Sequence, residues 1–209
     1  MHVLISGATA TLRTLPPERY GVLITPQSNH TNAWLAEMVA QGRTWAMDND
    51  GFRGIDFHAF TAMLRQRQAV PGCRFVPAPD VWSNGLWTLK RFAAWERMLH
   101  GLGYPVALCL QDGMTAASVP WERFEAVFLG GSNAFRFGPH AAALLREATR
   151  RNLWVHLGRI GGQRHYRYFA LMRDVRIDSI DSTGFSRFPR DKVREMSPAL
   201  NATPLFTMV

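Results

Sequence analysis

The stretch Arg176-Ile-Asp-Ser-Ile-Asp-Ser-Thr-Gly184 places an acid, Asp181, where a short apolar, β-branched run gives way to Ser, Thr and Gly. Runs of the same kind recur at 2–6, 21–25, 44–48, 74–77, 105–111, 126–129 and 154–157, so 177–181 reads as the eighth and closing strand. Between most of them lie segments with helical spacing of apolar residues, at 32–40, 57–67, 86–102 and 140–151. Strands that alternate with helices run parallel, and their near-continuous apolar character buries both faces. Eight such units in 209 residues predict an α/β fold, a compact (β/α)8 TIM barrel at the low end of its usual size. The competing architecture, an open doubly wound sheet, calls for a Gly-rich phosphate turn after its first strand, and Ser6-Gly-Ala-Thr-Ala10 matches that poorly. The weakest units are the first, with its short connection through Leu15-Pro-Pro17, and the last, where 189–209 leaves room for one helix and a tail.

The hydrophobic fraction of 47% is enough for one sizeable core and excludes a disordered chain, so a single domain over 1–209 is expected. The net charge of +8 comes mostly from arginine, since lysine occurs only at Lys90 and Lys192. Arginine's planar fork suits phosphate, which is consistent with a polyanionic partner; an arginine-rich soluble protein with no such partner fits the same composition. Cys73 and Cys109 belong to no C-x-x-C pair, which excludes a disulfide framework and a thiolate zinc site and suits a reducing compartment. The first residues carry no basic n-region, and no run approaches the roughly 20 apolar residues of a membrane span. A cytoplasmic protein without a membrane partner is expected.

In a barrel of this type the loops after the strands form the active face, so the residues just past each run carry the information. The third run ends in Asp48-Asn-Asp-Gly-Phe52, the fourth in Pro77-Ala-Pro-Asp80 and the fifth in Gln111-Asp-Gly113. The sixth ends in Gly130-Gly-Ser-Asn133, the seventh in Gly158-Arg159 and the eighth in Asp181-Ser-Thr183. Taken singly, Asp48 to Gly51 reads equally as a β-turn, Asp80 as a helix cap, and Asp112-Gly113 or Gly130-Gly131 as ordinary turn chemistry. Capping gives no reason for acids to recur at four strand ends. Converging carboxylates push one pKa up and leave another ionised, which lets one site hold both a general acid and a nucleophile.

Asp48-Asn-Asp-Gly-Phe52 resembles the Asp-Ser-Gly-Gly-Phe motif of the tRNA-guanine transglycosylase superfamily. Leu110-Gln-Asp-Gly113, Val127-Phe-Leu-Gly-Gly131, Val155-His-Leu-Gly158 and Ile177-Asp-Ser-Ile-Asp-Ser182 follow in the order and spacing of that family's catalytic core. The similarity runs from about residue 44 to about residue 189 and is closer to the phage and bacterial branch that exchanges guanine in DNA for a 7-deazaguanine of the preQ0 type. The resemblance implies Asp181 as the nucleophile at C1′ and Asp48 as the general acid/base for the departing and incoming bases. It implies Asp80 and Gln111 as readers of the purine edge, with Asp112 and Gly158 also binding substrate and the backbone amides of Gly130 and Gly131 assisting. No cofactor is implied; the partners would be DNA at guanine sites and a 7-deazaguanine base, in the host cytoplasm if the chain is phage-encoded.

Two departures from the family stand out. The Cys/His zinc module that helps the tRNA enzymes bind tRNA has no counterpart, and no H-x-H or H-E-x-x-H offers another metal site. Asp50 stands where the family motif has glycine, adding a negative charge beside Asp48. Arg159, Arg164, Arg167, Arg187 and Arg190, interleaved with His165, Tyr166, Tyr168, Phe169 and Phe185, form the candidate nucleic-acid-binding set; a solvated helix face is the competing reading. Trp82, Trp87, Trp95 and Trp121 are expected in core or helix packing, with a place for Trp82 in the pocket wall as the alternative. The same exchange on tRNA or a free nucleoside, or a non-catalytic barrel that binds nucleic acid or a 7-deazaguanine, stays open. So does a homodimer or an accessory DNA-binding protein.

Overall fold

Eight strands pair in parallel in the order β3-β2-β1-β8-β7-β6-β5-β4, so neighbours in sequence are neighbours in the sheet and the last strand returns to the first. They are β1 (His2–Ile5), β2 (Tyr20–Ile24), β3 (Trp45–Met47), β4 (Val76–Pro77), β5 (Val106–Leu110), β6 (Ala126–Leu129), β7 (Trp154–Leu157) and β8 (Ser179–Asp181). The computed structural model describes residues 1–7, 9–187, 190, 191 and 193–195. The β8–β1 pairing, with Val3 opposite Ile180, closes one side of the ring. The opposite seam is held by the residues before β4: Arg74 donates its N–H to the Trp45 carbonyl at 2.8 Å, and the Phe75 carbonyl accepts from the Met47 N–H at 3.1 Å. The expected (β/α)8 barrel is therefore the observed architecture.

Helices α2 (Asn32–Ala40) and α3 (Phe57–Arg67) have the bounds read from apolar spacing, and α4 (Gly85–Gly101) and α6 (Pro139–Arg150) are displaced by one residue. Their starts are set by side-chain caps: Thr31, Asp56 and Asn84 accept from the N–H of Trp34, Ala59 and Trp87. Four shorter helices, α1 (Thr9–Arg13), α5 (Asn133–Arg136), α7 (Gln163–Ala170) and α8 (Thr183–Arg187), complete the ring. Only the β5–β6 connection lacks an α-helix and carries a 3-10 turn over Trp121–Arg123. There the Ser118 hydroxyl accepts from the Thr115 N–H and donates to the Thr115 carbonyl, which competes with helix formation. The indole of Trp121, bonded to the Ala116 carbonyl at 2.8 Å, fills the space a helix would occupy. The closing helix and tail expected over 189–209 lie mostly outside the described residues. Among the described residues no helix is long and apolar enough to cross a membrane.

Two apolar layers result from the strand period of two. Val3, Val22, Met47, Val76, Leu108, Leu129, Val155 and Ile180 face the helices, while Leu4, Leu23, Ala46, Phe75, Ala107, Cys109, Ala126 and Phe128 pack the interior. Counting two residues onward from the interior positions gives Ser6, Thr25, Asp48, Gln111 and Gly130, and from the inward His156 and Ser179 it gives Gly158 and Asp181. The alternation that packs the barrel thus also fixes which side chains line its mouth.

Candidate active site at the barrel mouth

A cavity of about 710 Å³ opens at the carboxyl ends of the strands. Its walls include Ser6, Thr25, Asp48, Asn49, Asp80, Gln111, Gly130, Gly131, Arg159, Asp181 and Arg187. Glycine is required where the strands end: a Cβ on Gly130 would lie 2.6 Å from the Gln111 amide nitrogen, and one on Gly158 would lie 2.4 Å from the Phe128 ring. Any larger residue there would push its neighbours into the cavity or break the packing of the interior.

On the β3–β4 side Asp80 is the centre of a hydrogen-bond network. Asp80 is buried, and its two carboxyl oxygens accept from the amide of Asn49 at 3.1 Å and the amide of Gln111 at 2.5 Å. Gln111 is oriented in turn by accepting from the Ser83 N–H at 2.9 Å, and Asn49 accepts from the Gly51 N–H at 2.8 Å. Burial raises the pKa of Asp80, and the two amide hydrogen bonds oppose that rise. Asp48 has less support. One of its oxygens accepts from the Asp50 N–H at 3.1 Å. Burial first, and then the nearby charge of Asp181, push its pKa up to about 7, with smaller upward contributions from Asp80 and Asp50. A carboxyl group poised near neutrality can give a proton to a leaving group and take one back.

On the β7–β8 side Asp181 meets two nitrogens of different kinds. Its Oδ1 accepts the backbone N–H of Arg159 at 3.1 Å, and its Oδ2 lies 2.9 Å from Nε2 of His156. Arg159 adopts the left-handed conformation at φ 55°, an uncommon state for a branched-chain-free but long side chain, and that turn aims its N–H at Asp181. Its guanidinium reaches the Gly131 carbonyl at 2.7 Å and lies 4.6 Å from the centre of the Phe52 ring. Arg136 is buried behind this wall and donates to the Gly158 carbonyl. Burial, followed by the charge of Arg159, lowers its pKa to about 10.

Of the residues singled out in the sequence, Asp48, Asp80, Gln111, Gly130, Gly131, Arg159, Asp181 and Arg187 share the cavity. Asp112 does not reach it. Its carboxylate accepts from both the N–H and the hydroxyl of Ser132, tying the β5 loop to the start of α5. Burial works against its charge, yet the Ser132 bonds hold its pKa below the usual carboxylate value. Gly158 supports the wall from behind through Arg136. Arg164 and Arg167 are exposed on α7 away from the cavity, and Arg190 is also exposed outside it. The aromatics interleaved with them are core residues: Tyr166, Phe169 and Phe185 are buried, and the Tyr168 hydroxyl donates to the Phe137 carbonyl. The run is an amphipathic helix whose apolar face packs inward.

The tryptophan expectation divides. Trp121 is buried and Trp95 packs against the core, but Trp82 and Trp87 are 48% and 53% exposed. Trp82 lines the cavity and meets Phe52 edge to face at 5.6 Å, while Lys90 sits 4.2 Å over the Trp87 ring. Their exposure follows from the loop after β4, which lifts Trp82 outward, and from the position of Trp87 on the solvent face of the first turn of α4. His156 was not singled out in the sequence, where the histidines were read only for metal-binding spacing. The count of two back from Gly158 along β7 would have turned it into the barrel. Among the described residues no group of three His, Cys, Asp or Glu side chains is arranged to hold a metal ion.

No protein-family model and no curated protein matches the sequence. Solved structures do match the fold. The tryptophan synthase α-subunit of Pyrococcus furiosus is similar at a TM-score of 0.56 and 12% identity, covering 94% of this chain and 96% of that one. The native KDPGal structure is similar at a TM-score of 0.60 and 12% identity, covering 96% and 92%. Likeness at this level of identity concerns the barrel and leaves the chemistry to the site itself.

Proposed function

We propose that the chain is a glycosyltransferase that exchanges guanine in DNA for a 7-deazaguanine base through a covalent glycosyl-aspartate intermediate. The observation that carries this reading is the pairing, across one cavity, of two carboxyl groups in unlike surroundings: Asp48, whose pKa burial pushes up to about 7, and Asp181, which accepts the Arg159 N–H and lies 2.9 Å from His156 Nε2. In the first half-reaction Asp181 attacks C1′, the C1′–N bond breaks, and Asp48 gives its proton to the departing guanine. In the second, the incoming base loses its proton to Asp48 and attacks C1′, and the C1′–O bond electrons return to Asp181. The two displacements retain the anomeric configuration, as in a retaining glycosidase. Nothing in this scheme calls for a redox cofactor.

The site supplies further support. A volume of about 710 Å³ falls in the range of pockets for small ligands and suits a nucleoside unit. Asp80 presents carboxyl oxygens to the N–H groups of a purine edge, and Arg159 and Arg187 line the wall where the flanking phosphates of a flipped nucleotide would pass. The exposed ring of Trp82 at the rim offers a stacking face for an unpaired base. The test is incubation of the protein with guanine-containing DNA, or with tRNA, plus labelled guanine and a set of labelled 7-deazaguanines. Label entering DNA supports the proposal. Label entering tRNA alone assigns the same chemistry to the other polymer, and binding of DNA without incorporation into either polymer overturns the catalytic reading.

A further inference from the structure

Within the barrel interior a chain of polar groups runs from its lower end to the mouth. Trp154 Nε1 donates to Ser179 Oγ at 2.8 Å, Ser179 Oγ lies 2.8 Å from His156 Nδ1, and His156 Nε2 lies 2.9 Å from Asp181 Oδ2. His156 is fully buried, between the rings of Phe128 at 4.6 Å and Phe75 at 5.0 Å. An indole N–H can only donate, so the Ser179 oxygen is an acceptor toward Trp154 and its own hydrogen is free to point at His156. With that hydrogen turned to Nδ1, Nδ1 is the acceptor and the ring proton is left on Nε2, facing the carboxylate. We infer that His156 is a positioning residue for Asp181: a neutral imidazole whose Nε2–H is fixed by the Trp154–Ser179 pair and donated to the nucleophilic carboxylate.

This inference rests on the glycosyl-aspartate reading and adds a second donor, on Oδ2, to the Arg159 N–H that meets Oδ1. A donor on Asp181 favours the free carboxylate over its ester, because the anion is the stronger acceptor. It therefore holds the carboxylate's orientation before attack and helps it leave C1′ in the second half-reaction. The histidine proton is not transferred at any step. Removing the donor should slow turnover and, in particular, let the covalent intermediate build up. A residue that only filled space between Phe75 and Phe128 would produce neither the build-up nor a dependence on the donor.

Two measurements decide the matter. In the ¹⁵N spectrum of the unreacted protein at pH 7.5, His156 should show the neutral tautomer protonated at Nε2, and Ser179→Ala should weaken that preference. A proton found on Nδ1 alone overturns the inference whatever the protein catalyses. In the exchange assay His156→Phe should lower the rate by about 10- to 100-fold, the usual range for removing an outer-shell orienting group. It should also raise the fraction of protein trapped as the DNA adduct. His156→Gln, which can place an N–H near the same point, should recover part of the rate. Equal loss in both variants without adduct build-up overturns the positioning role. If the wild-type protein exchanges no base, the reaction assignment falls, and the tautomer measurement alone then decides the hydrogen-bond chain.

Discussion

On the β3–β4 side of the cavity Asp48 accepts one hydrogen bond and its pKa is raised to about 7, whereas on the β7–β8 side Asp181 is held by a backbone N–H and a buried imidazole. The two groups have the same chemistry and stand at the carboxyl ends of β3 and β8, with β2 and β1 between them in one ring. Their surroundings assign them different work. A carboxyl group with a single donor in a buried wall favours its proton and suits acid/base duty, and one supplied with more keeps its lone pairs oriented for attack.

Exchanging the donors and charges on each side breaks this contrast in graded ways. Asp181→Asn removes the proposed nucleophile, and base exchange should fall by at least about 10³-fold while DNA affinity, read by a binding titration, stays within a few-fold. Asp48→Asn keeps the shape and removes the proton carrier. Exchange should fall by roughly 10²- to 10⁴-fold, with wild-type exchange also declining as pH rises above 7 and Asp48 loses its proton.

The same substitution should act on stability with the opposite sign. The folded-state pKa of Asp48 lies above its ordinary value, so the native state binds the extra proton between about pH 4 and 7, and stability is lost as pH rises through that window. Asp48→Asn should therefore raise the unfolding free energy at pH 8 by on the order of 1–3 kcal/mol, read from denaturant melts, and by little at pH 4. An unchanged difference between pH 4 and pH 8 would contradict the account of the β3–β4 side.

Smaller effects separate the walls from the outer surface. Gly158→Ala would place a Cβ 2.4 Å from the Phe128 ring, and thermal melts should show a loss of about 1–3 kcal/mol. Arg159→Ala or Arg187→Ala should weaken DNA binding and reduce its salt dependence, since both line the cavity. Arg164→Ala and Arg167→Ala, on the solvent face of α7, should change affinity by less than about threefold, as expected for charges outside the contact surface.

Much of this arrangement was legible in the sequence because strand alternation is strict. The apolar runs located all eight strands, and the residue just past each run located Asp48, Gln111, Gly130 and Asp181 at the mouth. Helices α2 and α3 were legible from their apolar spacing alone; the caps that fix their starts, Thr31 and Asp56, add a local signal that agrees with it. The short helices were not, because α5 has four residues and α7 owes its place to the packing of Tyr166 and Phe169 rather than to local signals. Asp112 misled for a physical reason: an acid one residue past an inward position points away from the mouth, and Ser132 was there to receive it. Trp87 misled because a large apolar side chain on a helix start implies packing unless its neighbours are known.

The most direct test of the central claim is the site of covalent attachment. Protein quenched in acid during exchange on guanine-containing DNA, then digested with nuclease and protease and analysed by mass spectrometry, should carry a deoxyribose adduct on the peptide containing Asp181. Asp181→Asn should carry none. An adduct on Asp48 or Asp80, or exchange that proceeds undiminished in Asp181→Asn, would contradict the assignment of the two sides of the cavity.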